Sequence, residues 1–580
     1  MNLFLKTYVL AVAIISSLCA TAFAAPPANF VTAEGTRLKL NGQDFYFSGA
    51  NSYSMLYSEL EAEEQFLIAS ELGLNAIRTW GFWNGEDLNP QIENGRIVRP
   101  GTPETDVYGH YVLQSQPRVY PEQGWRRMDY VVYLANVYDV KLIIPLMNEW
   151  PEFGGLDTVL SWANDLPEED GAEIRRLVAN RKNMGNNEYE NAVKQMRGLF
   201  WDSIDAQSIY FDFVEHMLNR VNTYTGVAYK DDPAIMIWEI MNEPRFGPWG
   251  KDNSGGKVRT FLEKASQLIK SIDPNHLVGT GEEGFFRQTD IDRPLTTYPW
   301  KAGSGEGVSW IDNSRIETID VLSFHCWPYQ WNLWGQSNTD GGDFDTVGEY
   351  PDLRTFGPDW LQEHINAIND PELGIQKPLY LGEFGFQILR QEEVDGVDGS
   401  TVKYRNEIIQ PILKKALESE DIAGVAYWSM TASHDVDYAV YKGPIERNNL
   451  LQAYFNDDAV PHDLAFNFDI FCPEDKSTCA MIEEFTTAKL ANNVNNAPYL
   501  EPCLAPKTQC GVPGDMNTCV IVDSHPDHCG MCNNPCEATQ TCSSGECVST
   551  TDLQMADDEA NPDCRFTATS PATGLLSLLF

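Results

Sequence analysis

The stretch Ile235-Met236-Ile237-Trp238-Glu239-Ile240-Met241-Asn242-Glu243-Pro244-Arg245 is an apolar run that stops on an amide, a carboxylic acid and a proline. Pro244 has no N–H to give a ladder, so a strand must end there. Asn242 and Glu243 then stand at its carboxyl end. The same grammar recurs along the chain. Short apolar runs at Asp44–Ala50, Leu74–Trp80, Leu142–Leu146, His276–Gly279, Asp320–Phe324, Pro378–Glu383 and Gly424–Tyr427 bring the strand count to eight. Helical spacing of apolar residues predicts helices over Glu59–Leu72, Glu122–Val140, Ile204–Val221, Val258–Ile272, Trp360–Ile368 and Val402–Leu417. Alternation of this kind implies a parallel sheet, and eight units over this length imply an α/β fold, a closed (β/α)8 TIM barrel. Arg78, Asn148, Asn242 with Glu243, His325, Glu383 and Trp428 all fall at strand carboxyl ends or just beyond, where such barrels place their chemistry.

The rest of the chain is organised around that unit. Residues 1–24 read as a secretory signal: Lys6, an apolar run from Tyr8 to Leu18, then Ala22-Phe23-Ala24. That run is shorter than the roughly 20 residues of a membrane span, so the expectation is export and extracellular secretion. The barrel is expected over 27–455, with a long polar excursion from Pro151 to about Met196 and a connecting extension over 456–500. Of 13 cysteines, Cys19 leaves with the signal, Cys326 stands alone in the body, and the rest lie from Cys472 onward. Residues 501–549 therefore read as a small disulfide-rich module, in line with an exported chain. Cys529 and Cys532, with His525 and His528 nearby, also have zinc-like spacing, but clustered cysteines in an exported protein favour disulfides. Residues 550–580 form a polar tail with a short apolar end.

Acidic residues outnumber basic ones 84 to 41, a formal charge of −43. Nucleic acid and anionic membranes need clustered Lys and Arg, so they are poor partners, whereas a neutral polymer is compatible. Much of this charge serves solubility. The sequence has no Asn-x-Ser/Thr site, so N-glycosylation is not expected.

Two glutamates on two strand ends are what acetal cleavage requires. One protonates the departing oxygen and the other faces the anomeric carbon. Glu243 has no adjacent cation before Arg245, which suits an acid. Arg78 beside Glu383 would hold that carboxylate ionised. Alone, Asn-Glu-Pro could be a turn and Glu383 a surface carboxylate; together in one barrel pattern they read as a site. His325 has no second His or Cys at ligand spacing apart from Cys326, which argues against a metal. Cys326 itself reads as an inert buried thiol. No cofactor is expected. Trp80, Trp83, Trp150, Trp249, Trp327, Trp331, Trp334 and Trp428 gather at strand ends and loops, where tryptophan either fills the core or offers a platform to sugar rings.

Arg78-Thr79-Trp80, the run His216 to Arg245, Ser271-Ile272-Asp273-Pro274 and Gly382-Glu383-Phe384-Gly385 resemble the endo-β-1,4-mannanases of glycoside hydrolase family 5 over roughly residues 27–455. The resemblance implies a retaining enzyme that cuts internal bonds of mannan, galactomannan or glucomannan. Glu243 would be its acid/base and Glu383 its nucleophile. It further implies that Asn242 bonds the sugar 2-hydroxyl, that Arg78 and His325 order the site, that Arg245 lies on the leaving-group side, and that Trp428 is the platform. Trp80, Asn148 and Trp327 join the expected substrate-binding set. At Trp327 the chain departs from the family, which has a tyrosine there bonded to the nucleophile; Tyr329 is a second candidate for that hydroxyl. A β-1,4-glucanase, a mannan transglycosylase and a non-catalytic wall-binding protein remain as other readings. A monomer is expected, with the cysteine-rich module a candidate for cell-wall attachment.

Overall fold

In a computed structural model of the protein, the described residues are mainly 28–56, 59–85, 112–184, 186–246, 256–286, 307–328, 353–386, 400–430 and 476–491, with short strands elsewhere. Eight strands form one sheet: β1 (Phe47–Ser52), β2 (Ala76–Thr79), β3 (Lys141–Pro145), β4 (Ile235–Glu239), β5 (Leu277–Gly279), β6 (Leu322–Cys326), β7 (Leu379–Phe384) and β8 (Ile422–Tyr427). Every ladder is parallel, in the order β5-β4-β3-β2-β1-β8-β7-β6. A parallel bridge from Gly279 to Val321 joins the two ends and closes the barrel. Strands buried on both faces read as continuous apolar runs, which is why they were visible in the sequence.

The helices α1 (Glu59–Glu71), α2 (Glu122–Tyr138), α3 (Ile204–Asn219), α4 (Gly256–Ile272), α5 (Trp310–Ser314), α6 (Leu353–Asn369) and α7 (Ser400–Glu418) follow β1 to β7 in turn. In α4, Val258, Phe261, Leu262, Ala265 and Ile269 are buried, a single apolar stripe at helical spacing. The Ser203 side chain caps α3 by accepting from Ala206 N at 3.0 Å. The excursion after β3 forms the helices Leu156–Ser161, Glu168–Asn180 and Asn186–Val193 and a 3-10 turn at Arg197–Trp201.

Two features lie outside the sequence expectation. A three-stranded antiparallel sheet (Val31–Glu34, Arg37–Leu40, Gln43–Asp44) precedes β1. Its Val31 and Leu38, with Phe45 just after it, join the core formed by Ala76, Ile143, Met236, Leu277 and Val321. The second is α8 (Lys476–Leu490), which lies in the stretch expected to be a connecting extension. It belongs to the barrel. Thr486 Oγ1 is 2.7 Å from Ser48 Oγ of β1, and Asn493 clamps Tyr46 by accepting from its N–H at 2.6 Å and donating to its carbonyl at 3.1 Å. Lys489 Nζ donates to Ala416 O at 2.9 Å and to Ser419 O at 3.3 Å, satisfying carbonyls at the end of α7. Cys479 on α8 is disulfide-bonded. The compact unit that holds the barrel runs to Val494, not to 455. The mixed composition of 456–500 shows no helix in advance and gives no hint that this stretch returns to the barrel after so long an interval.

The remaining unit, Asn495–Phe580, contains two short antiparallel pairs, Thr508–Gln509 with Cys519–Val520 and Gln540–Ser543 with Glu546–Ser549. No helix among the described residues is long and apolar enough to cross a membrane.

A chain ended after residue 500 is expected to keep the melting temperature and activity of the barrel. One ended after residue 455 loses α8 and should aggregate or melt well below the full chain. Thermal unfolding of the two, monitored by circular dichroism, checks this; equal stability would exclude α8 from the barrel.

Candidate active site

Glu243 and Glu383 meet at the carboxyl end of the barrel. One oxygen of each, with a nitrogen of His325, falls within a set of atoms no more than 4.8 Å apart, and all three residues are buried. Local backbone chemistry makes this possible. Glu243 adopts φ 52°, a left-handed conformation costly for a side-chain-bearing residue. It is held there because its N–H donates to Gly281 O at 2.8 Å and proline follows. Gly281 permits that approach, since a Cβ there would fall 2.0 Å from Met241 O. On β7, a Cβ on Gly382 would come within 3.0 Å of His325 Nε2, and one on Gly385 within 3.1 Å of the Trp327 ring. The two glycines around Glu383 therefore leave room for the two rings that face it.

Arg78 organises the floor. Its Nη1 donates to Glu383 Oε1 at 2.6 Å and to Asn51 Oδ1 at 3.0 Å, its Nε to Glu239 Oε2 at 2.9 Å, and its Nη2 to Asn242 Oδ1 at 2.6 Å. Asn242 in turn donates to Asn148 Oδ1 at 2.9 Å. Tyr380 also donates to Glu239. On the other glutamate, Trp150 Nε1 donates to Glu243 Oε2 at 2.6 Å, and His325 Nδ1 stands 2.6 Å from Glu243 Oε1.

The donors divide the two carboxyls by charge. Burial first, then the Glu243 carboxylate, push Glu383 well above the usual carboxylate range, with Arg78 pulling the other way. Two buried carboxyls this close keep one proton between them. Arg78, a full cation, donates to Glu383 together with Trp327, which favours the charge on that carboxyl. Burial and then the Arg78 charge lower His325 to about 3, so its imidazole is neutral at working pH.

Trp327 Nε1 donates to Glu383 Oε2 at 3.1 Å. The indole thus supplies the hydrogen bond for which Trp327 and Tyr329 were both candidates; Tyr329 lies outside the described residues. Trp428 is half-buried, stacks on Tyr53 with ring centroids 5.9 Å apart, and meets Trp80 at 5.8 Å and Trp327 edge-on at 6.0 Å. Trp80 is buried, and the Arg78 guanidinium lies 5.3 Å from its ring centroid. Arg245 is held by both oxygens of Glu283 at 2.7 Å. Trp83 is buried core, edge-on to Phe153, while Trp249 and Trp334 lie outside the described residues. The free thiol of Cys326 is buried and burial raises its pKa, as expected of an inert group.

Glu243, His325 and Glu383 are of metal-ligating type, a grouping that sequence spacing could not show. Arg78 is already a fixed cation 2.6 Å from Glu383, and N–H donors occupy both carboxylates, so the arrangement is built for proton handling. Sequence reading passed over Asn51, Glu239, Glu283 and the role of Trp150. Glu239 is the last residue of β4, but in the sequence it lies inside an apolar run that continues through Ile240 and Met241, so it carries no strand-end signal.

A family model for glycoside hydrolase family 5, β-mannosidase-like, matches residues 28–444. The chain belongs to that family. The resemblance read from the motifs is thereby borne out. "Putative mannan endo-1,4-beta-mannosidase P" of Arabidopsis thaliana is 33% identical over 368 residues, covering 62% of this chain and 74% of that relative. "Mannan endo-1,4-beta-mannosidase 4" of Solanum lycopersicum is 30% identical over 363 residues, covering 62% and 73%. Among solved structures, the hyperthermostable endo-1,4-β-D-mannanase of Thermotoga petrophila aligns with a TM-score of 0.54 at 24% identity, over 76% of this chain and 99% of that one. That likeness supports the barrel fold.

Loss of one charge-assisted hydrogen bond costs about 1.5–3 kcal/mol, or roughly one to two decades in rate if fully expressed. Trp327→Phe should lower kcat by about that much, and Trp327→Tyr should keep most of it. Steady-state kinetics on both variants decide; a harmless Trp327→Phe would make the indole mere packing.

A second expectation concerns Glu149, whose carboxyl burial raises to about 8, opposed by Arg197 and by the Arg245 N–H. Between the ordinary 4.5 and about 8 the unfolded chain is ionised here while the folded one keeps its proton. The folded state is therefore favoured below that window and loses this advantage as pH rises through it. Glu149→Gln removes the dependence. The difference in melting temperature, variant minus wild type, should grow from pH 5 to pH 8, and a flat difference would refute it.

Proposed function

We propose that the protein is a secreted, retaining endo-β-1,4-mannanase that cuts internal β-1,4-mannosidic bonds of mannan, galactomannan or glucomannan by double displacement. The observation that carries the chemistry is the pair of buried carboxyls, close enough for direct attack, with unequal donors. Retaining glycosidases hold their carboxyls about 5–5.5 Å apart, whereas inverting ones leave room for a water at roughly 6.5–9.5 Å. Glu383, ionised against Arg78 and Trp327, attacks the anomeric carbon while Glu243 gives its proton to the leaving oxygen. Glu243 then takes a proton from water, which releases the sugar from Glu383. Asn242 is fixed by Arg78 and Asn148 and presents its remaining N–H to the sugar 2-hydroxyl. Trp428, on its Tyr53 and Trp80 support, is the platform under the ring, and Arg245 lies toward the leaving-group side. The names of the curated relatives supply the substrate class. Export through the leader at residues 1–24, a disulfide framework over 501–549 with a role in cell-wall attachment, and a monomeric state belong to the same reading.

Incubation of the full chain with mannans and with carboxymethylcellulose, followed by sizing of the products, tests the substrate. Falling chain length on mannan alone is expected; cleavage of the cellulose derivative would point to a glucanase. Proton NMR of early products should show the β-anomer. Glu383→Ala should fall to background and recover in part with azide, giving an inverted product. Glu243→Ala should spare the first step for good leaving groups, which need no proton. Equal and unrescued loss in both variants would remove these roles.

A further inference from the structure

Trp150 takes no part in the bond exchange, yet it holds one oxygen of Glu243 through its indole Nε1 at 2.6 Å. Two guanidinium groups lie over that same ring, Arg245 at 4.9 Å and Arg197 at 5.5 Å from its centroid. Each is pinned along its edge by a carboxylate. Glu283 holds Arg245 with both oxygens at 2.7 Å, and Glu190 holds Arg197 at 2.8 and 2.6 Å. With the edges taken, the flat faces are left for the ring. Arg197 comes from the 3-10 turn at the end of the excursion after β3 and is itself buried. Its Nε is a buried donor with no hydrogen-bond partner among the described residues. Burying an unsatisfied N–H is unfavourable.

A cation over an indole face draws on the ring's π density and makes the N–H a stronger donor. Such a donor favours an ionised carboxylate over a protonated one. We propose that Arg197 and Arg245 strengthen and aim the Trp150 N–H at Glu243, so that Trp150 and Arg197 are positioning residues for the acid/base. The inference rests on the acid/base reading of Glu243. The gain appears as Glu243 gives up its proton, which places it in the transition state and not in the bound ground state. His325 from β6 contacts Glu243, and the other charged or titratable groups of the site are Glu383 from β7, Arg78 and Glu239 on the floor, Glu149 beside Trp150 and Glu283 beyond β5. Arg197 is contributed by the excursion, so that segment reaches the chemistry through one ring.

The test is the pH profile of kcat/KM for short manno-oligosaccharides with the full chain. Trp150→Phe keeps an aromatic face, though a smaller one, and removes the N–H. Its alkaline limb, which reports loss of the acid's proton, should move up by about one pH unit, with kcat down about tenfold. An aryl β-mannoside with a good leaving group should lose much less. Arg197→Gln should move the limb in the same direction by less, and should add nothing in the Trp150→Phe background. If the limb stays put in Trp150→Phe, or if Arg197→Gln shifts it equally with and without the indole N–H, the proposal falls. Should Arg197→Gln fail to fold, Arg197→Lys keeps the charge and loses the flat face; it should raise the limb in the wild-type background only, and no movement would overturn the role given to Arg197. Glu243→Ala separates the two levels. If its leaving-group dependence is absent, the acid/base reading fails; if it is present while the limb never moves, only this inference fails.

Discussion

The structure depends on one guanidinium. Arg78 enters the barrel from β2 and reaches Asn51 on β1, Glu239 on β4, Asn242 just beyond β4 and Glu383 on β7. Its side chain has no solvent exposure, and neither has that of Glu239. A buried cation of this kind persists because a planar fork can satisfy several acceptors at once, which an ammonium cannot do in the same plane. Breaking such a buried network by removing one partner costs about 3–5 kcal/mol, since it strands the other charges. The inner packing of the barrel and the electrostatics of the site are therefore the same object. The site is set before any substrate arrives, which is the condition for oriented dipoles to stabilise charge without reorganising.

That unity explains what could be read in advance. The eight strands were legible because strands buried on both faces are apolar runs that stop abruptly. Glu243 and Glu383 were legible because carboxylates at those stops have no packing reason to be there. Glu239 was not, because a carboxylate inside an apolar run shows nothing of its partner across the barrel. Trp150 appeared as one tryptophan among many, since its value comes from a contact with Glu243 that is 93 residues away in sequence. The small sheet before β1 did leave a trace. Asn41-Gly42, with φ 51° and 82°, is the two-residue turn signal of a hairpin, and it was passed over. Helix α8 left none: residues 456–500 read as a mixed connecting extension, and helical periodicity would not in any case say which sheet a helix packs on.

Trp327 beside Glu383 shows how the choice of one residue type spreads. An indole is larger than a phenol, and the space for it exists because Gly385 presents no side chain to it. The indole N–H carries no titration of its own, whereas a phenol ionises near pH 10. The donor to Glu383 therefore stays in one state across the whole range in which the carboxyls change theirs. The edge of the same ring meets Trp428, so the group that holds Glu383 also borders the aromatic floor.

The clamp of Asn493 on Tyr46 spans 447 positions of sequence. For equilibrium stability that distance matters little, because the entropy of closing a loop grows only with the logarithm of its length. For the order of events it matters a great deal. β1 leaves the ribosome among the first elements, and its partner strand β8 and its cover α8 among the last of the barrel. Throughout most of synthesis one edge of β1 presents unpaired backbone groups, the kind of edge that recruits other strands. The barrel is thus a fold that can finish only after its chain is nearly complete, and its vulnerable interval is set by the length of what separates its two ends.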